Sequence, residues 1–86
     1  MKIRFHGNFK KNYKKYSFKI QKNIDARLRL FEINPFDRIL CNHALKGKYN
    51  GYRSISISGD IRAVYKIVSS LEVVFVEIGS HSQLYG

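Results

Sequence analysis

Two histidines, an aspartate and a tyrosine stand beside the apolar segments of this 86-residue chain. His43 lies in a stretch without clear periodicity, Asp60 follows a glycine between two apolar runs, and His81 and Tyr85 come after the last apolar run. Side chains just past a rigid element are held in place, and an imidazole with an ordinary pKa of about 6.5 exchanges protons near neutral pH. These residue types and positions therefore indicate acid–base chemistry.

The charge of the chain indicates the kind of molecule on which such chemistry would act. The net charge is +10, and residues 1–24 contain eight lysines and arginines but no acidic residue. Basic proteins bind polyanions because each phosphate contact releases condensed counterions. A lysine-rich face that serves only solubility is the alternative. We expect a nucleic acid or an acidic protein as the partner.

Metal-free cleavage of RNA needs the groups that this sequence contains. A base must take the proton of the 2′-hydroxyl, an acid must protonate the leaving 5′-oxygen, and cations must stabilise the charged phosphorane. Tyr85 can stack on a base or orient a phosphate. The candidates for proton transfer are His43, His81 and Asp60. The candidates for charge stabilisation are Arg62, Lys46 and Lys48.

Other classes of site find no support in the sequence. No cluster has metal-ligand spacing, and neither a Walker loop nor a GxGxxG motif occurs, so we expect no cofactor. Cys41 is the sole cysteine, which excludes an internal disulfide and suits a reducing cytosol. No secretory signal is visible, and the longest apolar run, Val73 to Val76, is far too short to span a membrane. These features predict one domain over residues 1–86, in the cytoplasm and away from membranes.

Apolar spacing predicts a strand and two helices, followed by three strands. Residues 1–5 form the first strand, and Asn8 and Ser17 are candidate N-caps of the two helices. The second helix ends at Asn34-Pro35, and residues 36–50 show no period. The apolar positions that recur at helical spacing are Ile20, Ile24, Leu28 and Phe31. The three strands are predicted at Tyr52–Ser58, Ile61–Val68 and Leu71–Ile78.

The register of the first hairpin follows from matching its apolar residues. A three-residue loop at 58–60 places Ile55 opposite Ala63 and Ile57 opposite Ile61. The glycine of this loop suits it because glycine accepts a positive φ.

In the second hairpin, a turn at Ser69-Ser70 places Tyr65 opposite Val74 and Arg62 opposite Glu77. Arg62 and Glu77 then form either a simple cross-strand ion pair or an arginine held by a carboxylate to meet a phosphate. The helices are expected to cover the face that carries Ile55, Ile57, Ile61, Ala63, Tyr65, Ile67, Val74, Val76 and Ile78. A ligand would lie on the opposite face, which carries Tyr52, Ser54, Ser56, Arg62, Lys66 and Glu77 together with Val64, Val73 and Phe75.

Four motifs, in this order, resemble toxins of the RelE superfamily, and most of all its YafQ-like branch. They are His43-Ala44-Leu45-Lys46-Gly47-Lys48, Gly51-Tyr52-Arg53-Ser54, Gly59-Asp60-Ile61-Arg62-Ala63-Val64-Tyr65-Lys66 and Gly79-Ser80-His81-Ser82-Gln83-Leu84-Tyr85. The detailed resemblance covers about residues 34–86, and the N-terminal half matches in its order of a strand and two basic helices.

The resemblance implies an α+β, RelE-like fold: strand-helix-helix, then a three-strand antiparallel meander, with the helices packed on one face of the sheet. It also implies a toxin of a type II toxin–antitoxin pair, a small mRNA endoribonuclease that often acts at the ribosome. His81 would be the general acid, and Asp60 or His43 the base. Arg62 would stabilise the transition state, and Tyr85 matches a terminal aromatic residue of the family. The residues expected to contact RNA are Lys46, Lys48 and Arg53.

The chain departs from the family pattern at three positions. Ser54 and Ser56 stand where some YafQ-like members have an acid and a histidine, and Glu77 stands where some have an arginine. The proton-transfer set is then smaller and depends on His43 and His81. Two other interpretations stay open: a ParE-like gyrase-inhibiting toxin without nuclease activity, and a basic module that binds RNA passively or a decayed toxin.

The antitoxin is expected to be an acidic, partly disordered chain that folds on this protein. The net charge of +10 attracts such a chain. The predicted exposed residues Phe75, Val73 and Val64 would supply its apolar contacts.

Overall fold

Five strands and three helices make up the fold, which we describe from a computed structural model of residues 1–86. The strands are β1 (Lys2–Phe5), β2 (His43–Ala44), β3 (Arg53–Ser58), β4 (Ile61–Ser69) and β5 (Glu72–Ser80). The helices are α1 (Gly7–Tyr13), α2 (Phe18–Ile33) and α3 (His81–Tyr85). The strands form one sheet in the order β1-β5-β4-β3-β2, in which only β1 runs parallel to its neighbour. The predicted α+β fold with its antiparallel meander is confirmed, and β2 and α3 are additions to it.

Side-chain caps determine where α1 and α2 begin. The Nδ1 atom of His6 accepts the backbone N–H of Asn8 at 3.0 Å, so His6, rather than the predicted Asn8, caps α1. Ser17 caps α2 as predicted, because its Oγ atom accepts a first-turn N–H at 3.3 Å. Asn34 is the C-cap of α2, directly before Pro35, which disfavours further helix. None of the helices is both long enough and apolar enough to cross a membrane.

The core lies between one face of the sheet and the helices α1 and α2. The ring of Phe75 in β5 is at its centre, with its centroid 5.2 Å from those of Phe31 and Tyr65 and 5.8 Å from that of Phe9. Aromatic pairs of this kind contribute roughly 0.5–1.5 kcal/mol beyond the area that they bury. The other buried residues of the cluster are Ile24, Leu40, Ile55, Ile57, Ala63, Val73 and Ile78. The apolar stripe predicted on α2 therefore packs on the sheet.

The predicted register of β3 and β4 is confirmed over most of this hairpin, since Ile55 lies opposite Ala63. The turn itself differs. Ser58 pairs with Ile61, so the loop has two residues rather than three, and Ile57 forms a bulge between the paired positions. A bulge lets one strand carry an extra residue without shifting the rest of the ladder. The turn glycine has a φ of 48°, as the prediction required of it.

The predicted register of β4 and β5 is wrong, by one residue between Tyr65 and Ile67 and by two residues between Ile61 and Val64. Tyr65 lies opposite Phe75 instead of Val74. The hairpin turn sits one position later than predicted, with Ser69 paired to Glu72, and the ladder is irregular at two places along its length. Neither irregularity can be detected in the alternation of apolar and polar residues from which the register was predicted.

The one-residue shift changes which of residues 73–75 the helices cover, because a slip of one residue turns each side chain to the other face. Where the shift is two residues, Glu77 and Ile78 keep their predicted faces. Val73 and Phe75 are buried in the core, although the prediction placed them on the opposite face. Arg62 lies opposite Gly79, so the predicted ion pair between Arg62 and Glu77 does not form. The apolar surface that the antitoxin was expected to use is therefore not available, because Val73 and Phe75 lie in the core and Val64 is also fully buried.

Helix α3 packs on the face of the sheet opposite α1 and α2. The hydroxyl of Tyr85 donates to Oγ of Ser54, which points away from the core, at 3.0 Å. Leu84 is buried, and a Cβ atom on Gly79 would lie 3.0 Å from Oε1 of Gln83. The two helices that the sequence predicted, α1 and α2, therefore share one face as expected, and the additional helix α3 packs on the other. We call the face under α3 the open face, defined by His43, Ser54, Ser56, Arg62, Val64, Lys66, Glu77 and Gly79.

Candidate active site on the open face

A row of side chains crosses four strands on the open face. His43 pairs with Ser54, Ser54 with Val64, and Val64 with Glu77. Directly paired residues of antiparallel strands have neighbouring side chains on the same face. Ser54 and Val64 are fully buried, whereas His43 is exposed at the edge of the sheet. The short strand β2 is thus the element that brings His43 to this face.

His43 presents one ring nitrogen to solvent. Its Nδ1 atom lies 2.8 Å from the carbonyl oxygen of Cys41. A carbonyl oxygen only accepts hydrogen bonds, so Nδ1 carries the hydrogen in this contact. In the neutral ring, Nε2 then has the free lone pair that takes up a proton. This geometry suits a general base.

Tyr85 links this row to the second histidine. Its hydroxyl bonds to Ser54, and its ring centroid lies 4.8 Å from that of His81, with the two planes at 72°. A capping box at the start of α3 holds both residues, because Ser80 and Gln83 exchange side-chain-to-backbone hydrogen bonds. His81 itself is exposed at the first position of this helix.

Asp60 and Arg62 lie at the turn between β3 and β4, next to α3. Asp60 is exposed, and its backbone carbonyl accepts the N–H of His81 at 3.1 Å. The Nη1 atom of Arg62 donates to the carbonyl oxygens of Gly59 at 2.7 Å and Ile61 at 3.2 Å. No carboxylate pairs with this guanidinium, so its charge is free to meet an anion. No three His, Cys, Asp or Glu side chains are grouped closely enough to hold a metal ion.

The predicted basic residues separate into two groups. A short 3₁₀ turn spans Gly47–Tyr49. Lys48 lies within this turn, Lys46 comes directly before it, and both lysines are exposed. The Nζ atom of Lys48 is 5.3 Å from the ring centroid of Tyr49. Both lysines therefore face solvent, and Lys48 lies beside the ring of Tyr49.

Arg53 lies on the other side of the sheet. It pairs with Tyr65, whose ring is in the core, and its Nε atom donates to Oδ1 of Asn42 at 2.9 Å. The amide nitrogen of Asn42 donates in turn to the carbonyl of Pro35 at 2.8 Å and lies 2.8 Å from the Tyr65 hydroxyl. Arg53 thus stabilises the segment before His43 through its hydrogen bond to Asn42, and it lies apart from Lys46 and Lys48.

Two further tyrosines form a cluster with Tyr85: Tyr52, which the sequence analysis placed on the ligand face, and Tyr49, which it did not assign to the site. The ring of Tyr49 lies 6.0 Å from the rings of Tyr52 and Tyr85, and we call these three residues the tyrosine cluster. Burial raises the pKa of Tyr49, and the nearby Glu77, Tyr85 and Tyr52 raise it further, so it stays a neutral phenol near pH 7. The sequence signal that could have indicated this cluster is Lys48-Tyr49-x-x-Tyr52, in which a cation is followed by two closely spaced aromatic residues.

Comparison with known proteins identifies the family. A family model described as the bacterial toxin of the type II toxin–antitoxin system, YafQ, matches residues 1–86. The chain belongs to the YafQ family. No curated protein sequence matches the chain.

Solved structures share the YafQ-family fold over nearly the whole chain. YafQ from Escherichia coli strain BL21(DE3) is 26% identical, with a TM-score of 0.74 over 98% of this chain and 97% of that chain. A YoeB/ParE toxin from Agrobacterium tumefaciens is 22% identical, with a TM-score of 0.77 over 94% and 99%. YafQ in the E. coli DinJ–YafQ complex is 23% identical, with a TM-score of 0.68 over 98% and 97%.

Proposed function

We propose that this YafQ-family toxin is an endoribonuclease that cleaves mRNA without a metal ion. One observation carries the proposal: Ser54 and Tyr85 connect two exposed imidazoles, those of His43 and His81, across the open face. Two proton-transfer groups on one surface are what a one-step displacement at phosphorus requires. The positive charge of the chain supports an RNA substrate.

In the proposed reaction, a base removes the proton of a 2′-hydroxyl, and the resulting oxygen attacks the adjacent phosphorus atom. The bond from phosphorus to the 5′-oxygen breaks, and His81 donates a proton to that oxygen. The products are a 2′,3′-cyclic phosphate and a 5′-hydroxyl. Nε2 of His43 is our proposed base, because it is exposed and unprotonated in the neutral ring, and Asp60 is the alternative.

Positive charge must offset the negative charge that develops on the phosphorane. Arg62 has no carboxylate partner and lies beside the turn that contacts α3, which supports this role. Lys46 and Lys48 are proposed to contact the RNA backbone. Arg53 would have to leave Asn42 to do so, and we propose instead that it holds the loop before His43.

The proposed setting is the cytoplasm, where mRNA is engaged by ribosomes, and the proposed partner is an acidic antitoxin. Related toxins have been solved in complexes with the antitoxins DinJ and YefM. A net charge of +10 favours such a partner. The apolar side chains that this chain exposes for it include Ile33, Phe36, Ile67, Val68 and Leu71.

The test compares induced expression of the wild type and His81→Ala, with the 5′ ends of cellular messages mapped. Replacement of a general acid lowers the rate by about 10²–10⁴-fold, so we expect growth arrest and new 5′ ends with the wild type only. Ser82→Ala, the adjacent exposed position on α3, is the matched control and should behave as the wild type. Arrest without new 5′ ends would contradict the nuclease and point to a protein target such as gyrase.

A further inference from the structure

A cleft of about 300 Å³ lies beside the tyrosine cluster and has no role in the proton transfers proposed above. Tyr49 and Tyr52 form aromatic walls, and Val76 contributes an apolar surface. Asn8, Lys48 and Glu77 supply polar and charged groups. We call this cleft the base cleft.

Glu77 is a carboxylate on a surface that is otherwise basic. Oε1 of Glu77 accepts a hydrogen bond from Nδ2 of Asn12 at 2.7 Å, whereas Oε2 has no protein partner. A carboxylate repels the phosphates of RNA, so its place beside Lys48 is unfavourable for backbone binding alone. It is favourable if the carboxylate accepts hydrogen bonds from a base.

The tyrosine rings provide the second requirement of base recognition. Bases of single-stranded RNA stack on aromatic side chains, and each stack contributes roughly 1–3 kcal/mol. Tyr49 and Tyr52 border the cleft, and the Lys48 ammonium next to Tyr49 can meet a flanking phosphate. The amide of Asn8, which makes no side-chain hydrogen bond in the protein, can donate to or accept from a base edge.

The base cleft also adjoins the proposed reaction site. The ring of Tyr49 contacts that of Tyr85 at 6.0 Å, and the ring of Tyr85 contacts His81. Two aromatic rings, Tyr49 and Tyr85, therefore connect a base held in the cleft to the proposed acid. The cleft and the proposed acid can therefore contact the same RNA strand.

We propose that the base cleft binds one nucleobase of the RNA and selects bases with an exocyclic amine. The amines of adenine, cytosine and guanine donate hydrogen bonds to the free Oε2 atom of Glu77. Uracil has no amine, and two carbonyl groups that a carboxylate repels flank its single N–H. The reading of the cleft as a subsite for RNA rests on the proposed nuclease function.

The experiment measures binding separately from cleavage. Fluorescein-labelled hexanucleotides of adenosine, cytidine or uridine carry 2′-O-methyl groups, which block the attacking oxygen, and binding is followed by fluorescence anisotropy. We expect the wild type to bind the adenosine and cytidine hexamers about tenfold more tightly than the uridine hexamer, since one good base contact discriminates by about 1–3 kcal/mol. Glu77→Gln should reduce this ratio to near one, because an amide also donates to uracil carbonyls.

The matched control is Glu72→Gln, which makes the same change of charge in the same strand. Glu72 pairs with Arg4 at 3.1 Å and does not line the cleft, so this variant should keep the tenfold preference. Tyr49→Leu should weaken binding of all three hexamers without changing their order. Equal binding of the hexamers by the wild type, or a preference that survives Glu77→Gln, overturns the proposal.

Unmodified hexamers and cellular messages then test cleavage. A base preference that depends on Glu77, without RNA cleavage by the wild type, would refute the nuclease function and retain the base cleft. Cleavage that is indifferent to the base and to Glu77→Gln would retain the nuclease and refute the cleft.

Discussion

The hydrogen bond between Tyr85 and Ser54 is predicted to hold α3, and with it His81, on the sheet. The bond is 3.0 Å long, and Ser54 is fully buried while Tyr85 is partly buried. Tyr85→Phe removes the donor and leaves the buried serine hydroxyl without its side-chain partner. A buried polar group left unpaired costs about 1–3 kcal/mol, so we expect a loss of about 2 kcal/mol in the free energy of unfolding.

The reverse change should cost less. Ser54→Ala leaves a phenol that water can reach, so only the net value of the bond is lost, about 1 kcal/mol. In the double variant neither group is left unpaired, and we expect a loss of about 1 kcal/mol rather than the sum of about 3 kcal/mol. The two changes should therefore be strongly non-additive, with an interaction energy of about 2 kcal/mol.

Urea unfolding followed by far-ultraviolet circular dichroism measures all four proteins. In thermal unfolding, the melting temperature of Tyr85→Phe should fall by roughly 10 °C, since a domain of this size loses about 4–8 °C per kcal/mol. Leu84 remains as the apolar anchor of α3 in every variant. Additive effects, with an interaction energy below about 0.3 kcal/mol, would refute the bond as the contact that holds the helix.

Three further predictions concern packing and titration. Gly79→Ala should destabilise the protein by about 1–3 kcal/mol in urea unfolding, because the added Cβ atom would lie 3.0 Å from Oε1 of Gln83. Gly7→Ala is the control and should not destabilise it, because no atom lies within 4 Å of the added Cβ atom. Equal effects of the two changes would contradict the close approach of α3. Phe75→Ala should cost about 3–5 kcal/mol in the same assay, and a loss below about 1 kcal/mol would place Phe75 outside the core. The raised pKa of Tyr49 contributes stability that is fully present below its unfolded pKa of about 10 and is lost as the pH rises through the higher folded pKa. Tyr49→Phe should lose less stability over that alkaline range, and an identical pH profile would show that folding does not raise the pKa of Tyr49.

Much of the fold could be predicted from local patterns. The Ser17 cap, the stripe through Ile24 and Phe31, and the three main strands all express spacing within a single element. The pairing of Ile55 with Ala63 could be predicted because the two apolar sets match in one register. The family was recognised in the same way, from the order of short motifs along the chain.

The register of β5 could not be predicted in this way. A shifted turn and an irregular ladder place Phe75 in the core, although the prediction placed it on the open face. Glu77 lies on the open face as predicted, but it is opposite Val64 and forms no ion pair with Arg62. β5 is apolar at four consecutive positions, 73–76, so its pattern fits either face. The choice between the two faces depends on packing against Phe9 and Phe31, which are distant in sequence.

The candidate site shows the same division. The chemical types of His43, His81 and Tyr85 were visible in the sequence, but β2 and α3 were not, because an element of 2 or 5 residues is too short to show a period. Arg53 had the same charge as the lysines with which it was grouped, yet its place on the helix side separates it from them.

By itself, the sequence determined the chemical groups, the excess of positive charge and the apolar periods that make α2 and the long strands. These are properties of each residue and its near neighbours, so they do not depend on how the helices and strands are arranged. Only the tertiary structure decided that Ser54 accepts a hydrogen bond from Tyr85 and that Tyr49 contacts Tyr85 and lines a cleft with Glu77. It also decided that Arg53 lies on the helix side of the sheet. Those contacts join residues far apart in the chain, and they form only when the burial and hydrogen bonding of the whole domain favour one register over its alternatives.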